Sequence, residues 1–407
     1  MLASRPTHPL KQPSFLWFCL GQTITILGDR VYSVALPFLL FELGGDAGQL
    51  GQLLATYMVP QVLFLLVGGV LVDRLPRRPT MIASDLFHVV LLSVVIVLFA
   101  GDDLRLSHLY GLSALFGLAS AFFMPATSSL VPQLVAREGL AQANAARSLA
   151  KELAGIIGPP LGGLLVTTGG LALALAFDAG TFVVGALCLL VVRPRPLNEE
   201  NEAKNDTSNY LKDLGEGFSY VSSSAWLWVT ILIFSVVNVF IGGITVVLLP
   251  LLAETRFAGA SSLGWLLSGV AGGAVLSAVV LSRLGTLHHR GLLAYLGVAV
   301  SGLALAGLAF APQVGWGIAA MAVGGASITV FGVVWETTMQ ELVPGEMLGR
   351  VVSIDMSGSF ALLPPGFLLT GYLAEGFDAG QVALWYGGAT VLLALVGLLV
   401  PAVRQLD

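Results

Sequence analysis

The sequence predicts an all-α membrane protein of twelve transmembrane helices, arranged as two six-helix bundles that repeat each other in parallel. Three observations predict it. The 407 residues are 56% hydrophobic and 11% charged, with a mean hydropathy of +0.88, whereas a soluble domain carries about a quarter charged residues. The apolar runs suit helices of about 20 residues and are too long and unbroken for barrel strands. One long polar stretch, 193–224, separates two halves, 1–192 and 225–407, that share sequence patterns at a fixed offset.

Taken in order, the polar segment up to Ser14 has no small-residue cleavage site behind the first apolar run, so that run is read as a helix and not as a removable signal. Spans are expected at 15–41, 50–72, 80–100, 107–130, 144–167 and 171–192. The stretch 193–215 then carries Asn198-Glu199-Glu200-Asn201-Glu202 and Lys204-Asn205-Asp206, a composition that stays solvated. A short interfacial helix is expected at 210–221. The second half follows with spans at 227–253, 263–282, 292–310, 314–340, 351–374 and 382–403.

The basic residues sort by side. Arg5, Lys11, Arg74, Arg77, Arg78, Arg137, Arg193, Arg195, Lys204, Lys212, Arg283, Arg290, Arg350 and Arg404 fall on the termini and alternate connections, and Arg105 and Arg256 on the other side. Glu42, Asp46, Asp102, Asp103, Glu254, Glu375 and Asp378 join those two. An excess of arginine and lysine marks the cytoplasmic face, so both termini are expected there.

The halves repeat without inversion. Leu50-Gly51-x-Leu53-Leu54 returns as Leu263-Gly264-x-Leu266-Leu267, and Leu134-Val135-x-x-Glu138-x-Leu140 as Leu342-Val343-x-x-Glu346-x-Leu348. Gly158-Pro159-Pro160 has its counterpart in Leu363-Pro364-Pro365-Gly366. Parallel repeats of this kind place a substrate site between the halves near the midplane.

The connection between the second and third spans reads Gly69-Val-Leu-Val-Asp73-Arg74-Leu-Pro76-Arg77-Arg78. Gly69 permits close backbone approach and Asp73 can cap the following helix, while the arginines remain on the cytoplasmic side. This resembles motif A of the major facilitator superfamily, with Pro76 where that family usually has glycine. In the fifth span, Gly155-x-x-Gly158-Pro159-Pro160-Leu161-Gly162-Gly163 resembles its motif C, carried by antiporters. Physically, these glycines allow tight helix packing and the prolines remove backbone donors. Leu20-Gly21-Gln22 with Leu27-Gly28-Asp29, Pro125-Ala126 through Leu134-Val135, and Glu341-Leu342-Val343-Pro344 with Gly349-Arg350-Val351 are similar to the bacterial drug:proton antiporter subfamily that includes macrolide exporters and the enterobactin exporter. The likeness runs over nearly the whole chain and implies the major facilitator fold and an efflux activity. It carries over to Asp29 and the two motifs, and not to Glu152.

An ionised side chain at a helix centre costs roughly 2.5–3.5 kcal/mol on insertion scales, so it pairs or faces water. Asp29 and Arg30 lie halfway along the first span, about 100° apart around the helix. Each takes either a structural ion pair or a transport role. Glu152, two turns into the fifth span, is the leading proton-accepting carboxylate, with a salt bridge to Arg147 or Lys151 as the competing reading. Asp178 in the sixth span is a further proton-coupling candidate; since the resemblance puts the third and sixth spans at the periphery, structural roles are favoured for it and Asp85. Arg30, Asn238, Trp335 and Glu336 are substrate-cavity candidates, Glu336 beside Trp335 suiting a cationic or polar lipophilic ligand. Asp355, a turn past Arg350, is expected to pair with the motif A arginines in gating. The phenylalanines and methionines are read as packing.

These features predict export of lipophilic small molecules across a bacterial inner membrane by proton antiport with alternating access. Alternatives are an exporter or flippase for a siderophore, lysophospholipid or metabolite, and a non-transporting sensor or scaffold of the same fold. A monomer among membrane lipids is expected, with no nucleic-acid partner, cofactor or metal. Cys19 and Cys188 lie inside spans, where neither a disulfide framework nor a metal site is expected. No nucleophile–base constellation points to an enzyme.

Overall fold

The computed structural model describes residues 12–72, 76–136, 139–195, 210–284 and 289–406. Two compact units divide between Glu202 and Ala203, inside the polar stretch. All elements among the described residues are helices.

The amino-terminal unit holds α1 (Pro13–Glu42), α2 (Ala47–Val72), α3 (Arg77–Ala100), α4 (Leu106–Leu134) and the 52-residue α5 (Leu140–Val191). Inside α5 the backbone leaves the helical region at Gly170 (φ 77°, ψ 174°). A positive φ with extended ψ is open to glycine alone without strain, so the chain turns there and α5 is two arms. Pro159 and Pro160 lie within the first arm and do not end it.

Side-chain distribution on α3 shows what solvent the fold is built for. Met81, Ser84, Asp85, His88, Leu91, Leu92 and Val95 are buried at three- and four-residue steps, while Leu86, Val90, Val94 and Val97 are exposed. The polar groups all lie on the inward face and the outward face is aliphatic, the reverse of a soluble helix and the arrangement lipid requires.

The carboxy-terminal unit begins with α6 (Tyr210–Ser223), two residues longer than the interfacial helix expected at 210–221. There follow α7 (Ala225–Gly243), a π turn (Ile244–Leu248), α8 (Leu249–Arg256), α9 (Gly259–Arg283), α10 (Arg290–Gly307) with a 3₁₀ turn (Leu308–Phe310), α11 (Val314–Leu342), α12 (Gly345–Phe360), α13 (Leu363–Gly376), α14 (Ala379–Leu398) and α15 (Pro401–Arg404). Two expected spans are thus interrupted. In the first of them, Pro250 cannot donate to the carbonyl of Val246, and the preceding turn widens to the π form. In the second, α12 ends at Phe360 and α13 starts at Leu363, because Pro364 and Pro365 supply no amide donors to carry the helix on and sit instead in the first turn of α13. Among the described residues ten helices are long and apolar enough to cross a membrane. Dividing α5 at Gly170 and adding the 26 residues of α2 is the reading that yields twelve.

Packing repeats within each unit. In the first, α2 packs on α4, α3 on α4 and α5, and α1 on α5; in the second, α9 packs on α11, α10 on α11 and α14, and α7 on α12 to α14. The closest approaches repeat as well. A methyl group at Gly117 on α4 would overlap the backbone carbonyl of Tyr57 on α2, and one at Gly325 on α11 that of Val270 on α9. The glycines are 208 residues apart and their partners 213, the offsets that separate Leu134 from Leu342 and Leu50 from Leu263. One packing device therefore serves both copies.

Short ion pairs tie the second unit at its ends. Arg256 Nη2 meets Asp378 Oδ1 at 2.5 Å, and Arg256 Nη1 donates to the Ala309 carbonyl. Asp378 also caps α14 by accepting from the amides of Gly380 and Gln381. Arg290 pairs with Glu341. Arg350 on α12 pairs with Glu216 on α6 at 2.7 Å, and Gly217 leaves room for the Arg350 stem, so the interfacial helix is fastened to its own unit.

Candidate functional site

The residues with chemistry in the first unit gather where α1 crosses the two arms of α5. Gly28 faces the second arm: a methyl group there would overlap Thr181 Oγ1 and stand 2.5 Å from Asp178 Oδ1. Two residues on, Arg30 faces the first arm, since a methyl group at Gly158 would overlap its Cβ and stand 3.3 Å from the Leu27 carbonyl. Gly162 continues this seam, 3.0 Å from Val31 Cα by the same construction. Asp29 lies between the two contacts, about 100° from each, and its side chain is exposed. The motif C glycines Gly155, Gly158, Gly162 and Gly163 and Pro159 are buried, and at Gly158 and Gly162 the reason is α1. Arg30, expected to line a cavity, is half-buried with its stem across Gly158.

Asp178 is fully buried; Thr181 Oγ1 lies 3.5 Å from its Oδ1, and its Oδ2 has no hydrogen-bond partner. Asp29 follows Gly28, the residue against which Asp178 packs, so acids of α1 and α5 lie near one another. Glu152 stands apart from this group. It is half-buried, and among the described residues it forms no ion pair with Arg147 or Lys151. Arg147 instead sits 5.7 Å above the ring of Phe18.

Motif A is described in part. Gly69 lies in the last turn of α2, while Asp73 and Arg74 lie outside the described residues. Arg78, at the start of α3, donates from Nε to the Leu189 carbonyl (2.8 Å) and from Nη2 to that of Leu190 (2.6 Å). It thereby supplies a cation and two donors to the carbonyl-rich end of α5. Arg77 is half-buried, its Nε without a partner.

In the second unit, Asn238 donates from Nδ2 to the Ser359 carbonyl at 3.0 Å, joining α7 to α12. Trp335 is nine-tenths buried and built into a ladder of rings, stacked on Phe331 at 6.0 Å and edge-on to Trp226 at 5.4 Å, with Phe234 stacked 3.7 Å from Phe331. Its indole donates to Asp355 Oδ2 at 3.2 Å. The side chains of Trp335 and Asp355, read from sequence as a ligand contact and a gate, are thus bonded to each other inside one unit. Of the motif A arginines expected to pair with Asp355, Arg74 lies outside the described residues and Arg78 donates to carbonyls of α5. Glu336 is exposed and accepts from Gln340 one turn on. Sequence reasoning gave Trp335 and Glu336 one role, yet they occupy opposite environments, as neighbours about 100° apart on a helix do. Cys19 and Cys188 are free thiols.

The sequence pattern of the Major Facilitator Superfamily matches residues 18–354. Macrolide efflux protein A of Streptococcus pyogenes is 24% identical, over 95% of this chain and 96% of its own. The multidrug efflux pump Tap of Mycobacterium tuberculosis is 28% identical, over 97% and 95%. The enterobactin exporter EntS of Escherichia coli is 27% identical, over 96% and 93%. Among solved structures, the bacterial homologue of the iron transporter ferroportin superposes with a TM-score of 0.69 at 18% identity, over 94% of this chain and 98% of its own. The nucleoside transporter NupG gives 0.71 at 12% identity, over 95% and 98%.

Proposed function

The chain belongs to the Major Facilitator Superfamily, as a multi-pass membrane transporter rather than an enzyme, and we propose that it exports lipophilic small molecules by proton antiport. The observation that carries the reading is the placement of Asp29: an exposed carboxylate in the α1 span, next to Gly28, against which the buried Asp178 of α5 packs. Relatives named as efflux pumps over their full length support the direction of transport and the drug-like cargo. The arginine distribution supports an inner-membrane protein with both termini in the cytoplasm.

In this reading Asp29 alternately holds a proton and a cargo while the two units give alternating access; Glu152 is the second proton candidate. The motif A arginines and Asp355 act in gating, and Arg30, Asn238, Trp335 and Glu336 shape the cavity. One proton moving down a one-unit pH gradient supplies about 1.4 kcal/mol, and a potential of about 100 mV adds about 2.3 kcal/mol. Together they support accumulation of about several hundred-fold outside.

A siderophore cargo is the second reading, favoured by the enterobactin exporter among the relatives. Drug and siderophore susceptibility of an efflux-deficient host expressing the chain separates the two. Proteoliposomes with an imposed pH gradient test the antiport: Asp29→Asn is expected to abolish gradient-driven flux. Retention of full flux in that variant refutes the assignment of Asp29, and loss of it in Glu152→Gln moves the proton to the fifth span.

A further inference from the structure

The first unit contains a second set of polar groups that the motifs do not account for. Its centre is Asp85 on α3, fully buried, with neither carboxylate oxygen hydrogen-bonded. Asp85 Oδ2 aims at the seam between α1 and α5: a methyl group at Gly185 would stand 3.2 Å from it and 2.5 Å from Thr25 Oγ1. Gln22, one turn before Thr25 on α1, is 7% exposed and has its Nε2 donor unpartnered. Two turns before Gly185 on α5 lies Asp178, whose Oδ2 is also unpartnered.

His88, one turn past Asp85 and 3% exposed, leads away from the seam. Its ring is held between Phe116 at 4.1 Å and Phe182 at 4.7 Å, and its Nδ1 has no partner. Its Nε2 lies 3.4 Å from the Phe116 carbonyl and 3.5 Å from Ser120 Oγ, which is 3.5 Å from Tyr57 OH on α2. Polar groups therefore run from the α1–α5 seam through α3 and α4 to α2, inside otherwise apolar packing.

The titratable groups reached from Asp85 are Asp29 and Tyr32 on α1, the latter stacked on the Phe116 that holds His88, Tyr57 on α2 through Ser120 of α4, His88 on its own helix and Asp178 two turns before Gly185 on α5. Arg30, the cation nearest on α1, has its stem turned to Gly158. No lysine or arginine among the described residues is bonded to Asp85. An ionised carboxylate sealed from water with no counter-charge is strongly disfavoured, whereas a neutral acid loses far less on burial.

We propose that Asp85 is a proton-binding site of this transporter, loaded in the conformation seen here and unloaded when movement of α1 over Gly185 admits water. Unloading breaks the Asp85 O–H bond and passes the proton to water as hydronium, leaving the carboxylate. Asp178 and Asp29 form the outer part of the same path, and the charge of the exposed Asp29 holds the proton at Asp85 until the seam opens. The inference rests on the antiport reading and places its proton on a helix that the family resemblance left to structure.

The test uses full-length protein in proteoliposomes, with ethidium as the lipophilic cargo. Infrared difference spectra over a pH series report protonated carboxyl groups, and flux is measured with and without a pH gradient. Asp85→Asn is expected to lose one carboxyl band and its gradient-driven flux while keeping downhill ethidium equilibration. Asp85→Glu, which keeps an acid and serves where Asp85→Asn does not fold, is expected to keep driven flux with a shifted pH midpoint. Wild-type vesicles that ignore the pH gradient overturn the antiport reading and this inference together. Wild-type and Asp85→Asn vesicles that respond equally overturn this inference alone, as do an Asp85→Glu midpoint that does not move and flux that follows a sodium gradient instead.

Discussion

Gly158 offers the most direct test of how α1 is held, because the seam it forms with Arg30 can be filled by a single methyl group. In Gly158→Ala the new carbon would overlap Arg30 Cβ and lie 3.2 Å from Arg30 Cγ and 3.3 Å from the Leu27 carbonyl. Arg30 Cβ is anchored to the backbone and cannot swing aside as the end of a long side chain can, so α1 and the first arm of α5 must separate. Overpacking of this kind costs about 1–3 kcal/mol. Gly180, on the second arm, is the matched control. A methyl group there meets nothing within 4 Å, and alanine in a helix interior gains about 0.5–1 kcal/mol over glycine. The two variants add the same atoms to the same long helix, so that gain is common to both, and they are expected to differ by the overpacking cost of about 1–3 kcal/mol, or about five-fold to about 150-fold in the unfolding equilibrium. Reversible unfolding in mixed micelles measures the difference, and flux in proteoliposomes shows whether Arg30 is displaced with it. Equal stabilities for Gly158→Ala and Gly180→Ala would refute the seam and, with it, the physical account of the motif C glycines.

Three further substitutions test single contacts. Asp378→Ala removes the α14 cap and the partner of Arg256 together and is expected to cost about 1–2 kcal/mol, whereas Asp378→Asn keeps the cap and loses only a half-exposed ion pair, costing below about 1 kcal/mol; thermal unfolding ranks the two. Arg78→Met leaves the Leu189 and Leu190 carbonyls without their donors and is expected to cost about 1–2 kcal/mol, with Arg78→Lys intermediate because it lacks the fork that serves both. Trp335→Phe keeps the ring ladder but strips Asp355 Oδ2 of its donor, an expected loss of about 1–3 kcal/mol; an unchanged melting point would mean that Asp355 finds another partner.

How much of this was legible in the residues follows from what each signal adds up. Hydropathy sums along the chain, so the spans, the polar division near 202 and the repeat were all readable, and the offsets of the repeat proved to be those of the Gly117–Tyr57 and Gly325–Val270 contacts. The interruptions of α7 and of α12–α13 were less so: a window average passes over Pro250 and Pro364-Pro365, although the prolines themselves announce the missing donors. The facing of a residue is a matter of angle rather than of sum, and in lipid the usual guide to angle fails because both faces of a span are apolar. Trp335 was therefore grouped with Glu336 as a cavity candidate although one is packed in a ring ladder and the other exposed, and Glu152 was ranked above acids that lie deeper. Asp85 illustrates the remaining gap. Its cost within a span was evident from residue type alone, but its lack of any bonded cation is a property of three helices at once. Thr25 and Gln22 stand 60 or more positions before it and Gly185 stands 100 after it. The seam at Asp85 exists only because Gly185 has no side chain to fill it, and that absence acquires meaning only when α1, α3 and α5 are brought together.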